Sequence, residues 1–196
     1  MRSSPYTNRC KATGFLLVLL GLLSPPELLA VERRVTEVGS YPLTLTLDWP
    51  GPHQTSVRGE LTLPVSMGRL WEVLTDYDHL ADFIPNLQHS EVLRRDKHSL
   101  LLRQEGKIWL PFYRRKVEAV FKVQEVPPKA ILFEAVEGDF LLYKGSWEME
   151  KQEEGTKVTY QVTAEPNFWM PRWVINELER QTLKATFRAI IRRCLL

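Results

Sequence analysis

The sequence predicts an α+β domain: a curved antiparallel sheet of about six to seven strands wrapped on one long C-terminal helix, with two short helices after the first core strand. Three observations carry this expectation. Arg69–Leu87, RLWEVLTDYDHLADFIPNL, holds two short amphipathic segments around the polar break Thr75-Asp76-Tyr77-Asp78. Apolar residues then alternate in runs whose connections are hairpin-length, which requires antiparallel neighbours because parallel strands need long crossovers. From about Pro171 to Arg193 the apolar spacing changes to that of a helix.

The first 30 residues fit an export signal. A basic start (Arg2, Arg9, Lys11) precedes the apolar run Gly14–Leu23 and Ser24-Pro25-Pro26, with Ala30 as the expected cleavage point. The run is about ten residues, and a bilayer span needs roughly 20. An uncleaved N-terminal anchor is the alternative. Residues 31–196 form a single domain.

Leu43, Leu45, Leu47 and Trp49 alternate with Thr44, Thr46 and Asp48 on a first strand. Pro50-Gly51-Pro52 forces a turn, and Val57, Leu61 and Leu63 resume the alternation. Ser66 is placed to cap the first short helix and Asp78 the second, which Pro85 closes. Strand signals follow at Ser90–Arg95, His98–Leu110, Val117–Val123, Ala130–Val136, Leu141–Met149 and Val158–Ala164. In the final helix Leu183, Phe187, Ile190, Ile191 and Cys194 share one face, with Trp173 one to two turns earlier; Glu177, Lys184, Arg188 and Arg192 should be wet.

The formal charge is +2, and Arg2, Arg9 and Lys11 against Glu27 account for all of it. The domain itself is formally neutral, which argues against nucleic acid as a partner. Cys10 lies in the leader and Cys194 near the C-terminus, so no internal disulfide or thiol metal cluster is available in the domain. His53, His79, His89 and His98 show no metal-ligand spacing, and neither a nucleophile elbow nor a phosphate-cradling glycine loop is present. No metal, no cofactor and no catalytic residue is therefore expected. Asp76 and Asp78 read as helix caps rather than an acid/base pair, and Tyr77 reads as a core residue that could also line a cavity mouth.

Leu70-Trp71-Glu72-Val73-Leu74-Thr75-Asp76-Tyr77, with Leu80 and Phe83-Ile84-Pro85, resembles the START-like group of polyketide cyclase/dehydrase and coenzyme Q-binding proteins. Gly145-Ser146-Trp147 followed by Gly155-Thr156-Lys157-Val158 resembles that group's last hairpin. The similarity runs from about Val57 to Arg193; the leader and the leading strand around Leu43–Trp49 depart from it. It implies the helix-grip fold and a cavity between sheet and C-terminal helix, sized for a hydrophobic molecule such as a lipid or an isoprenoid quinone.

Strand parity then supplies candidates for the lining: Leu102, Gln104, Phe121, Tyr143, Trp147 and Tyr160 from the strands, Leu183 and Phe187 from the helix. Gln104 shares its parity with Leu100, Leu102 and Ile108, and a buried amide must find a partner. Tyr143 and Tyr160 can turn an apolar body and a polar tip to a ligand, or hydrogen-bond within a packed core. Trp109 and Phe112, beside Arg114-Arg115-Lys116, and Trp169 and Trp173, around Arg172, have the composition of a membrane interface. The expected function is binding or transport of a hydrophobic small molecule or lipid, with peripheral membrane contact in an exported compartment. The alternatives are a cyclase/dehydratase, which an inward acid such as Glu118 or Glu134 would favour although strand parity turns both outward, and a scaffold whose cavity is filled.

Overall fold

A computed structural model describes residues 31–97, 99–110 and 112–196; the leader and His98 lie outside the described residues. In chain order the elements are β1 (Glu32–Val38), β2 (Tyr41–Asp48), β3 (Thr55–Leu63), α1 (Met67–Thr75), a 3-10 helix (Tyr77–Asp82), β4 (Leu87–Arg95), β5 (Ser99–Leu110), β6 (Tyr113–Val126), β7 (Ala130–Gly138), β8 (Phe140–Gln152), β9 (Gly155–Pro166), α2 (Arg172–Leu178), a π-helical turn (Glu179–Leu183) and α3 (Lys184–Leu195). The strands form one antiparallel sheet in the order β1-β2-β3-β9-β8-β7-β6-β5-β4.

The sheet has nine strands, not the six to seven expected. The strand least visible in the sequence is β1, whose polar run ERRVTEV carries no apolar alternation. It is held by backbone pairing to β2 and not by burial, because only Val38 is fully buried.

Where alternation is strong it works as expected. Leu43, Leu45 and Leu47 face the core, as do Val57, Leu61 and Leu63 across from Val158 and Val162. Phe187, Ile190, Ile191 and Cys194 of α3 close over this face. The fit depends on Gly59: a Cβ there would sit 2.8 Å from Cε2 of Phe187, so the missing side chain is the ring's seat.

Ser66 caps α1 as expected, its Oγ accepting from Arg69 N at 3.1 Å. The second helix is a short 3-10 segment, and Asp78 does not cap it. Asp78 Oδ1 instead accepts from Val92 N at 2.8 Å, which ties the helix to the open side of β4. Tyr77 is core, with its hydroxyl buried, and burial first and then the nearby Glu125 raise its pKa. Asp76 bonds His79 Nδ1 at 2.6 Å and lies 3.9 Å from Arg193, while Arg69 donates to the Arg193 and Cys194 carbonyls. The Arg69–Leu87 stretch is thus a clamp on the end of α3.

Candidate functional site

The apolar interior falls into two clusters rather than one. The larger joins α1, α3 and most of the sheet; the smaller consists of Ile108, Leu110 and Val174 with Tyr113, Val117, Phe168, Met170 and Leu178 around it. Along the inner face of β5, Leu102 belongs to the first and Ile108 to the second, and the half-buried Gln104 and Gly106 lie between. Along the C-terminal helix, Leu178 packs on the second, Leu183 belongs to the first, and the π turn lies between. The division between the clusters, the seam, therefore falls at Gln104 and Gly106 on β5 and within Glu179–Leu183 on the helix. The π turn coincides with the change of cluster along the helix, and π turns often accompany function.

β7 and β8 pair only from Ala130↔Glu148 to Glu134↔Lys144. Beyond that, Ala135 and Gly138 stay with β6, while Phe140, Leu142 and Tyr143 pair with β9. An aromatic group gathers around this divergence, and its Trp147 meets Phe187 of α3. Phe140 and Tyr143 have ring centroids 4.8 Å apart, Phe121 and Tyr143 5.2 Å, Phe133 and Tyr160 6.2 Å, and Trp147 and Tyr160 4.5 Å. Phe133, Phe140, Tyr143 and Trp147 are only half-buried although each faces the interior. Phe121, Tyr160, Leu102 and Leu183 are buried, and Phe187 fully so.

Among the described residues, polar groups on this face include Gln104, Tyr143 and Tyr160. Gln104 donates from Nε2 to Ser90 Oγ at 3.3 Å, and Ser90 is itself buried. The Tyr143 and Tyr160 hydroxyls are 3.4 Å apart. The expected residues thus separate into an aromatic group (Phe121, Tyr143, Trp147, Tyr160, Phe187) and a polar corner at Gln104. Phe133 and Phe140 escaped the sequence reading. Phe133 lies in a run apolar at both parities, and Phe140 adjoins the Glu137-Gly138-Asp139 turn.

The remaining candidates lie elsewhere. Glu118 and Glu134, the acids that would favour a cyclase if they faced inward, are both exposed on the outer face, where their strand parity places them. The described residues hold no group of three or more His, Cys, Asp or Glu able to bind a metal ion. Burial pushes the Cys194 thiol up to about 11, which makes it inert at neutral pH. Two shallow surface depressions, about 510 Å³ around Tyr41, Glu60 and Lys157 and about 300 Å³ around Lys129 and Glu150, do not reach the seam. In the first, Arg58 and Lys157 hold the Glu60 carboxyl below its usual range.

The profile of the family described as polyketide cyclase / dehydrase and lipid transport matches residues 63–191. The chain belongs to this family. The match begins at the last residue of β3, so β1 and β2 lie outside it. No curated protein matches the chain in sequence. Among solved structures, a STAR-related lipid transfer protein from Xanthomonas axonopodis superposes with a TM-score of 0.68 at 20% identity, covering 85% of this chain and 99% of that one. The Zhui aromatase/cyclase from Streptomyces sp. R1128 gives 0.63 at 14% identity, covering 73% and 94%. Human StAR-related lipid transfer protein 5 gives 0.62 at 11% identity, covering 83% and 86%. At such identities the likeness shows the START helix-grip fold.

In this member of the polyketide cyclase / dehydrase and lipid transport family, the β5–β6 hairpin outruns the rest of the sheet. Beyond Lys107, whose N donates to Asn86 O, and beyond Ala119↔Gly138, no strand among the described residues pairs with it on either side. It extends roughly 15 Å past its neighbours at about 3.3 Å per residue. Its inner face rests on Val174 of α2, and Tyr113 Oη donates to Trp169 O at 3.3 Å. Outside, Trp109 is 57% exposed and Phe112, with φ +67°, fully so; Trp169 is 79% and Trp173 52% exposed. Arg114 and Lys107 lie over the Trp109 ring at 4.5 and 5.3 Å. Trp173 therefore does not join the core stripe of the helix. Val174 takes the inward position, because the π turn holds an extra residue per turn and rotates α2 relative to α3.

Proposed function

We propose that this chain binds and carries a hydrophobic small molecule, a lipid or an isoprenoid quinone-like compound, in the seam between sheet and C-terminal helix. The observation that carries the reading is the half-buried aromatic group on the inner face of the sheet, next to Phe187 of the C-terminal helix. Phe133, Phe140, Tyr143 and Trp147 keep accessible apolar surface on a face that a filled core would bury. Covering that surface with ligand contributes about 25 cal/mol per Å² of apolar area. Gln104 supplies an amide for orienting a ligand's polar end. The cyclase/dehydratase alternative gains no support, because the acids it named lie on the outer face.

The test is extraction of the purified protein with organic solvent and mass spectrometry, followed by incubation with lipid and quinone mixtures. A stoichiometric hydrophobic compound, co-purified or taken up, is the expected result. An empty protein that takes up nothing overturns the reading.

Membrane contact through the hairpin tip, and export directed by residues 1–30, belong to the same proposal. Exposed Trp rings flanked by Arg and Lys match the interface of an anionic bilayer. Liposome flotation is expected to weaken when Trp109 and Trp169 are both changed to Ser, compared with the parent bearing the same leader. Equal flotation of the two proteins removes membrane docking and leaves the ligand proposal standing.

A further inference from the structure

The two edges of the sheet are treated differently. β4 is closed: the 3-10 helix packs beside it, Asp78 accepts from Val92 N, and a register shift between Val92 and Arg94 interrupts its ladder. α3 approaches β1, whose Val38 is buried in the core, but among the described residues no strand pairs with the outward edge of β1.

Which groups face outward follows from the turn. Gly39, at φ +65°, and Ser40 form a two-residue loop closed by the pair Val38↔Tyr41. Loops of this kind close on a hydrogen-bonded pair. Counting back in twos, Thr36, Arg34 and Glu32 bond to β2, and Glu37, Val35 and Arg33 turn N–H and C=O to the free edge. The side chains of these three residues share the outer face of the sheet, and all three are exposed.

This edge is complementary to itself. A second copy laid antiparallel about a two-fold axis at Val35 sets Val35 opposite Val35, Arg33 opposite Glu37 of the second copy, and Glu37 opposite its Arg33. Every pair formed this way is a hydrogen-bonded one, and both charged pairs are of opposite sign. A shift of one residue to either side loses the charge matching, and the edge's outward groups no longer align. We propose that β1 is a homodimer interface through which two copies join their sheets edge to edge, with register set by Arg33 and Glu37. Arg34 takes no part, as it pairs with Glu32 on the inner face. The interface lies outside the family match and away from the seam, so it stands independently of the ligand.

Sedimentation equilibrium of the full chain over a concentration series tests this. The parent is expected to show a reversible monomer–dimer equilibrium. Arg33→Glu or Glu37→Arg alone places like charges opposite at both ends and should weaken association about tenfold. The Arg33→Glu/Glu37→Arg double variant should restore it, and mixing the two single variants should yield a heterodimer. Val35→Pro removes an outward N–H without touching the hairpin and should give monomer with an unchanged circular dichroism spectrum. A parent that is monomeric throughout overturns the proposal. So do single variants that associate like the parent, as association through the leader would produce, and a double variant that fails to recover.

Discussion

Phe187→Ala is expected to lower the stability of the folded chain by about 3–5 kcal/mol, the range for deleting a buried aromatic ring. The ring has no solvent exposure, meets Trp147 edge-on with centroids 5.6 Å apart, and sits in the gap left by Gly59. It joins helix to sheet from a site surrounded on both sides, so little can collapse into the void. Gly59→Ala tests the seat from the other side. Its methyl would lie 2.8 Å from Cε2 and 3.2 Å from Cζ of the ring, and overpacking of this kind costs about 1–3 kcal/mol. The two changes should not add: with the ring gone, the methyl introduced by Gly59→Ala has room, and its cost should fall towards zero. Urea denaturation of the parent, the two single variants and the double variant measures this directly. Additive costs would mean that Phe187 and Gly59 do not share one space.

Ala135→Trp is expected to abolish ligand uptake at a stability cost no greater than about 1–3 kcal/mol, the range typical of added bulk. Ala135 faces inward opposite Phe121, at the level where β7 has already left β8 and beside the half-buried Phe133 and Tyr143. An indole there enters the seam and occupies the surface offered to a ligand. The measurement pairs urea denaturation with uptake of a fluorescent lipid or a quinone. A loss of several kcal/mol with uptake unaffected would show a filled interior at this level and would sink the seam as the binding site. Loss of uptake with stability retained is the signature of an occupied site.

Much of the fold was legible because its signals are local. Strand faces follow from period-2 alternation, so the inward set Leu100, Leu102 and Gln104 was readable, and Gln104 does face in to meet Ser90. The α3 stripe was equally readable from its spacing. Failures came where locality ends. Asp78 carries the sequence mark of a cap, but its oxygen is used 14 residues away at the sheet edge. Phe133 sits among Leu132 and Val136, both exposed, and parity cannot choose a face in a uniformly apolar run. β1 has the composition of a polar linker and becomes a strand only because β2 offers it a ladder.

Backbone periodicity and turn chemistry, which act over a few residues, were therefore enough for most of the strands, the antiparallel meander and the apolar stripe of the last helix, but not for β1 or the π turn. Long-range packing set where β7 and β8 part, after Glu134↔Lys144, how far β5 and β6 outrun their neighbours, and the change of winding at Glu179–Leu183. These features depend on where one strand's partner stops pairing, a relation between distant segments that neither segment's own pattern encodes. The candidate site lies where those relations meet.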